Sequence, residues 1–186
     1  MYGISVKYSN LRASVCGFSL YDANSFVTLT YDNDHLPEYN SLEYRHFQLF
    51  MKRLRKAFAP TVIRFYMCGE YGDDLSRPHY HACLFNCYFP DRRRLSAGGS
   101  GATLYSSDLL SSLWPYGFSS IGDVTFESAA YVSRYVMKKV TGDAAKNHYR
   151  TVNLETGEIS SRVLEFNKMS LLPGIVTGKQ IGRAHV

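Results

Sequence analysis

The chain has 186 residues, enough for one domain with a proper core. Lys and Arg outnumber Asp and Glu by 21 to 16, a formal charge of +5 that suits a polyanionic partner without requiring one. No apolar stretch is long enough to span a membrane and the first residues lack a signal peptide's pattern, so a soluble protein that stays in the cell that makes it is expected. Four cysteines (Cys16, Cys68, Cys83, Cys87) show neither a CxxC pair nor a disulfide-framework spacing, and read as reduced thiols. The 15 tyrosines could stack bases where they interleave with Arg and Lys, or be ordinary core and rim residues.

Ser25 to Tyr31 alternates apolar and hydroxyl-bearing residues, which predicts a first strand, and Asp32 to Pro37 a turn. Ser41 reads as an N-cap for a helix with Tyr44, Phe47, Phe50, Met51, Leu54 and Phe58 at helical spacing, closed by Pro60. Its polar side carries Lys52, Arg53, Arg55 and Lys56, a solvated face or a DNA-backbone contact. Val62 to Glu70 and His79 to Phe89 are expected to pair as antiparallel strands across a loop at Tyr71 to Pro78. Asp91 to Thr103 is basic, then Gly/Ser-rich, and reads as a mobile loop. Leu104 to Leu113 predicts a short helix, Phe118 to Phe126 a strand, and Ser128 caps a last helix ended at Thr141-Gly142-Asp143. This order predicts an α+β fold, a ferredoxin-like or RRM-like antiparallel sheet with helices on one side.

His79 and His81 stand two apart in R-P-H-Y-H-A-C-L-F, so on a strand both imidazoles face one way. If Glu70 opposes His79 across the hairpin, all three side chains converge on one point. Two imidazoles and a carboxylate with open positions suit a catalytic divalent ion, Mg or Mn rather than a closed structural zinc. The alternative is a loop carboxylate at Glu70, bound to Arg64 or Arg77.

Tyr131 and Tyr135 stand four apart in Y-V-S-R-Y-V-M-K-K, so on a helix both phenols share a face. A phenol near pKa 10 is a poor nucleophile until a cation or metal lowers it, and Lys138 and Lys139 follow within a turn. The alternative is an amphipathic helix with an apolar stripe of Ala130, Val132, Val136 and Val140 and the tyrosines at its rim. Two histidines holding a metal beside two tyrosines point to covalent attack on a phosphodiester.

With these residues in place, the chain resembles the HUH endonucleases, specifically the replication initiators of small circular single-stranded DNA phages of the microvirus, gokushovirus-type group. The matching stretches are F-V-T-L-T-Y-D-N-D-H-L-P, G-E-Y-G with R-P-H-Y-H-A-C-L-F, Y-V-S-R-Y-V-M-K-K-V-T-G-D-A-A, H-Y-R-T-V-N-L-E-T-G-E-I and M-S-L-L-P-G-I. Together and in this order they are specific, and singly they are not. The resemblance implies a five-stranded antiparallel sheet, metal-dependent nicking of origin DNA, a 5′-phosphotyrosine intermediate and rolling-circle replication. It implies His79, His81 and Glu70 as metal ligands, Tyr131 and Tyr135 as nucleophiles, and Lys138 or Lys139 as supporting base or cation. It further implies single-stranded DNA at the phage origin as partner, host helicase and replication proteins as further partners, and the bacterial cytoplasm as location.

Four parts are expected: an atypical N-terminal segment 1–18, an HUH endonuclease domain 19–150, a partial C-terminal extension 151–179, and a tail 180–186. The tail, Q-I-G-R-A-H-V, can be encoded by CAG-ATC-GGA-AGA-GCA-CAC-GTC, which from its second letter resembles a common sequencing adapter; reads continuing into genomic sequence there would contradict an adapter origin. The competing functions are an HUH transposase or relaxase, and a ferredoxin-like nucleic-acid-binding module without chemistry.

Overall fold

A computed structural model describes residues 21–72, 76–95, 103–138, 140, 142–152 and 156–170, with the side chains of 135–138 outside that description. Cys16, Lys139, segment 1–18, tail 180–186 and most of the Gly/Ser-rich loop expected within Asp91 to Thr103 therefore lie outside the described residues.

Strand β1 (Asn24–Tyr31) keeps the alternation read from its sequence, burying Ser25, Val27, Leu29 and Tyr31. Helix α1 (Tyr44–Ala57) buries Phe47, Phe50, Met51 and Leu54, one apolar stripe at helical spacing. Its cap differs from expectation. Glu43 accepts a hydrogen bond from the backbone N–H of Arg45, at 2.9 Å. Ser41 closes a preceding 3-10 turn, Glu38–Asn40, and its hydroxyl takes the N–H of Val163 at 2.9 Å instead. Strands β2 (Arg64–Tyr71) and β3 (Pro78–Phe85) form the expected hairpin, with Glu70 opposite His79.

The basic stretch after β3 contributes a two-residue strand β4 (Arg93–Arg94), paired with β5 (Tyr105–Ser106). Helix α2 (Asp108–Leu113) is thus shorter than predicted, because Tyr105 is drawn into the sheet beside Ile121 and Ser107 takes the cap, accepting from the N–H of Leu110 at 3.0 Å. Strand β6 (Gly117–Gly122) follows. Helix α3 (Phe126–Lys138) starts before the expected Ser128: Thr125 and Ser128 exchange hydrogen bonds, hydroxyl to backbone in both directions, at 2.8 and 3.2 Å. Beyond it lie α4 (Asp143–His148), the small hairpin β7 (Arg150–Val152) with β8 (Ile159–Ser161), and β9 (Phe166–Met169).

The α+β class holds. The main sheet has seven strands rather than about five, in the order β4-β5-β6-β1-β3-β2-β9, and every neighbouring pair is antiparallel. The fifth principal strand is β9, which adds to the edge of β2. Gly69 admits it, since a β-carbon there would lie 3.1 Å from the Phe166 ring and 3.2 Å from Leu42.

Helices on one side only is an expectation the structure corrects. Helices α1 and α2 cover the face built by Val27, Leu29, Met67, Tyr80, Ala82 and Leu84. Helix α3 lays Ala129 and Val132 over the opposite face, against Tyr66, Cys68, Cys83 and Phe85. Strands β2 and β3 are buried almost continuously, the pattern of strands covered on both sides, and this two-sided burial is why α3 can reach the histidines. No helix among the described residues is long and apolar enough to cross a membrane.

Candidate metal centre

Side-chain alternation sends Thr28 of β1, Glu70 of β2, and His79 and His81 of β3 to the α3 side of the sheet. Glu70 Oε1 lies 2.6 Å from His79 Nε2 and 3.1 Å from His81 Nε2. The three residues could hold a metal ion: their ligand atoms fall within 4.8 Å of one another. Glu70 is only 2% exposed, which removes the loop-carboxylate alternative. Arg77 is occupied elsewhere, donating to the carbonyl of Tyr31 at 3.0 Å and to Asn33 Oδ1 at 2.6 Å.

The far side of each imidazole is also fixed. His79 Nδ1 lies 3.0 Å from the carbonyl oxygen of Arg77, which can only accept, so Nδ1 carries a hydrogen. In the neutral ring the Nε2 lone pair then faces a carboxylate oxygen at 2.6 Å, an arrangement that a proton or a cation must mediate. His81 Nδ1 lies 2.9 Å from the Thr28 hydroxyl, and its ring stacks on Phe26 with centroids 5.5 Å apart. A hydrogen bond behind each ring orients a ligand histidine and raises its basicity.

The electrostatics agree with a cation site. Burial by itself would raise the Glu70 carboxyl, but bonds from His79 and His81 outweigh it and hold the group below its ordinary range. Burial lowers His81, only partly offset by Glu70, so its ring favours the neutral form that a metal ligand needs. Glu70 Oε2 is buried with no hydrogen-bond partner among the described residues, a second carboxylate oxygen left for an ion.

Tyr131 reaches the same point from α3. Its hydroxyl stands 3.5 Å from Glu70 Oε1, and its ring meets His81 edge-on at 5.0 Å. Asn167 of β9 pins the helix here, donating to the carbonyl of Val132 at 2.8 Å and to the Tyr66 hydroxyl at 2.9 Å. Tyr135 follows one turn along α3 and Lys138 ends it, both with side chains outside the description, while Lys139 lies beyond the described residues. The buried stripe of α3 runs through Ala129 and Val132 rather than Ala130 and Val132. The basic face of α1 lies across the sheet from the histidines, and Arg53 there donates to the carbonyl of Leu113 at 2.9 Å.

Thr28 and Phe26 had no site role in the sequence reading. Their signal was the alternation of β1, which places both on the histidine face once β1 pairs with β3.

Residues 24–140 match the family model described as replication-associated protein ORF2/gene-2 protein. The chain is 35% identical over 136 residues to the replication-associated protein VP4 of Bdellovibrio phage phiMH2K, an alignment covering 69% of this chain and 43% of the relative. It is 38% identical over 125 residues to the replication-associated protein ORF2 of Spiroplasma virus 4, covering 63% and 39%. It is 38% identical over 126 residues to the replication-associated protein ORF4 of Chlamydia phage 1, covering 64% and 31%. The matched part thus spans less than half the length of each relative. No solved structure matches.

Proposed function

Because this chain belongs to the family of replication-associated proteins of the ORF2/gene-2 type, we propose that it initiates replication of a small single-stranded DNA phage by nicking origin DNA. The observation that carries this reading is the Tyr131 hydroxyl, 3.5 Å from the carboxylate oxygen that both histidine Nε2 atoms approach. A nucleophile next to a cation site is the arrangement phosphodiester transfer requires.

In this reading Glu70, His79 and His81 hold Mg or Mn, which when bound polarises a phosphate oxygen and neutralises its charge. Tyr131 or Tyr135 attacks the phosphorus, the phenol losing its proton as the new O–P bond forms. The bond to the 3′ oxygen breaks, and that oxygen leaves as a 3′ hydroxyl after taking a proton. The DNA stays on the protein as a 5′-phosphotyrosyl ester, whose retained bond energy lets a later 3′ hydroxyl reverse the step and join ends. The tyrosine one turn along α3 takes the strand in the following cycle. Lys138 or Lys139 supplies the supporting base or cation. Partners are single-stranded origin DNA and host replication proteins, helicase among them, in the bacterial cytoplasm.

The test is a denaturing gel of the protein with Mn and a labelled single-stranded origin oligonucleotide. Wild type should give a shifted covalent band, Tyr131→Phe and Tyr135→Phe should each retain some of it, and the double variant should lose it. Intact oligonucleotide throughout, with folded protein, would favour a module that binds without chemistry.

A further inference from the structure

The sheet face that carries the metal centre continues past it toward β6. Thr30 pairs with His79 on one flank and with Phe118 on the other. Phe118 is 70% exposed, more than any other large hydrophobic side chain described. Gly117 seats it: φ is +145°, and a β-carbon there would fall 2.3 Å from the backbone nitrogen of Asp32, so only glycine lets β6 close this tightly on the end of β1.

A lone exposed aromatic is ordinary; the neighbourhood of this one is not. Phe118 walls a hollow of about 470 Å³ whose other sides include Thr30, Asp32, Asn33, Asp34 and Arg77. Arg77 ties the hollow to the metal centre, since its side chain bonds Tyr31 and Asn33 while its carbonyl holds His79 Nδ1. Two carboxylates here disfavour a phosphate. Their oxygens accept from the amino and imino groups of a base, and a flat apolar wall suits a base's π face.

We propose that this hollow seats one nucleobase of the strand whose phosphate lies at Glu70, His79 and His81, stacked on Phe118. The acceptor-rich wall prefers a base rich in donors, so thymine, with a single N–H on its pairing edge, fits worst. The proposal rests on the nicking reading only in taking single-stranded DNA as the ligand, and is tested without metal or cleavage.

The experiment is fluorescence anisotropy of the 186-residue chain in EDTA with labelled single-stranded dC, dA and dT 12-mers across a salt series. Phe118→Ala should weaken dC binding roughly tenfold with no change in the salt slope, because stacking neutralises no phosphate. Phe118→Trp should restore affinity, and its fluorescence should be quenched by the oligonucleotide above the background of buried Trp114. Unchanged affinity in Phe118→Ala overturns the proposal, as does a loss that tracks a lowered melting temperature and is not rescued by tryptophan. Equal affinity for dT and dC overturns the base preference. If Phe118→Ala weakens binding but no covalent band forms in the gel assay, the nicking reading fails and this subsite stands; a band with unchanged binding in Phe118→Ala gives the converse.

Discussion

Glu70 and His79 face each other across the β2–β3 hairpin, and Glu70 Oε1 lies 2.6 Å from His79 Nε2. With His79 Nδ1 tied to a carbonyl, two electron-rich atoms meet in a site where Glu70 is 2% exposed. A divalent cation resolves that conflict without protonating either partner. The site's chemistry follows from this pair, and α3 brings a phenol to it.

Metal should therefore stabilise the fold. At a free Mn concentration of 100 times Kd the gain is about 2.7 kcal/mol, read as a rise of several degrees in Tm. EDTA should reverse it, and a His79→Ala, His81→Ala double variant should not show it. A metal-induced shift of equal size in that double variant would place the ion elsewhere.

Thr28 holds His81 from behind, at 2.9 Å. Thr28→Val keeps the side-chain shape and removes the hydroxyl, so it should weaken Mn affinity about 10- to 100-fold by calorimetry while leaving the circular dichroism spectrum intact. Unaltered affinity would mean that Thr28 does not orient the ring.

Gly117→Ala should be among the most destabilising single substitutions on the site side of the sheet. Its β-carbon would meet the nitrogen of Asp32 at 2.3 Å and the oxygen of Thr30 at 2.6 Å, all rigid backbone. A loss of about 3 kcal/mol or more in urea unfolding is expected. A loss under 1 kcal/mol, on the order of an ordinary surface change, would show that β6 can move away.

Much of this was legible in the sequence, and the reasons differ by element. Helix α1 declared itself through Phe47, Phe50, Met51 and Leu54, because a helix buried on one face must repeat its apolar residues. The convergence of Glu70 with His79 and His81 followed from strand alternation plus one assumed pairing. Tyr131 was readable as pointing with the helix, but its nearness to Glu70 depends on α3 crossing the other face of the sheet, which no local pattern encodes. The burial of Cys68 and Cys83 on that face was the available hint. Caps at Ser41 and Ser128 were misplaced by two or three residues, since several hydroxyl and carboxyl groups compete near each helix start and tertiary contacts, such as Ser41 with Val163, decide. Strands β4, β5 and β9 are two to four residues long, too short for a period to register.

The thiols of the core should be inert while the protein is folded. Burial pushes the Cys87 thiol up to about 12 and Cys68 well above its ordinary value, so both stay protonated at neutral pH, and Cys83 is fully buried. In a Cys16→Ser variant, Ellman's reagent at pH 8 should react only after denaturation, then with three thiols. Rapid reaction of the native variant would show that β2 and β3 open readily.

The most direct measurement is tandem mass spectrometry of the covalent product formed with Mn and single-stranded origin DNA, after digestion of protein and nucleic acid. A nucleotide phosphate is predicted on Tyr131 or Tyr135, absent in EDTA and absent in the Tyr131→Phe, Tyr135→Phe double variant. A phosphate on any other residue, or a folded, Mn-stabilised protein that leaves the DNA uncut and carries none, would contradict the account.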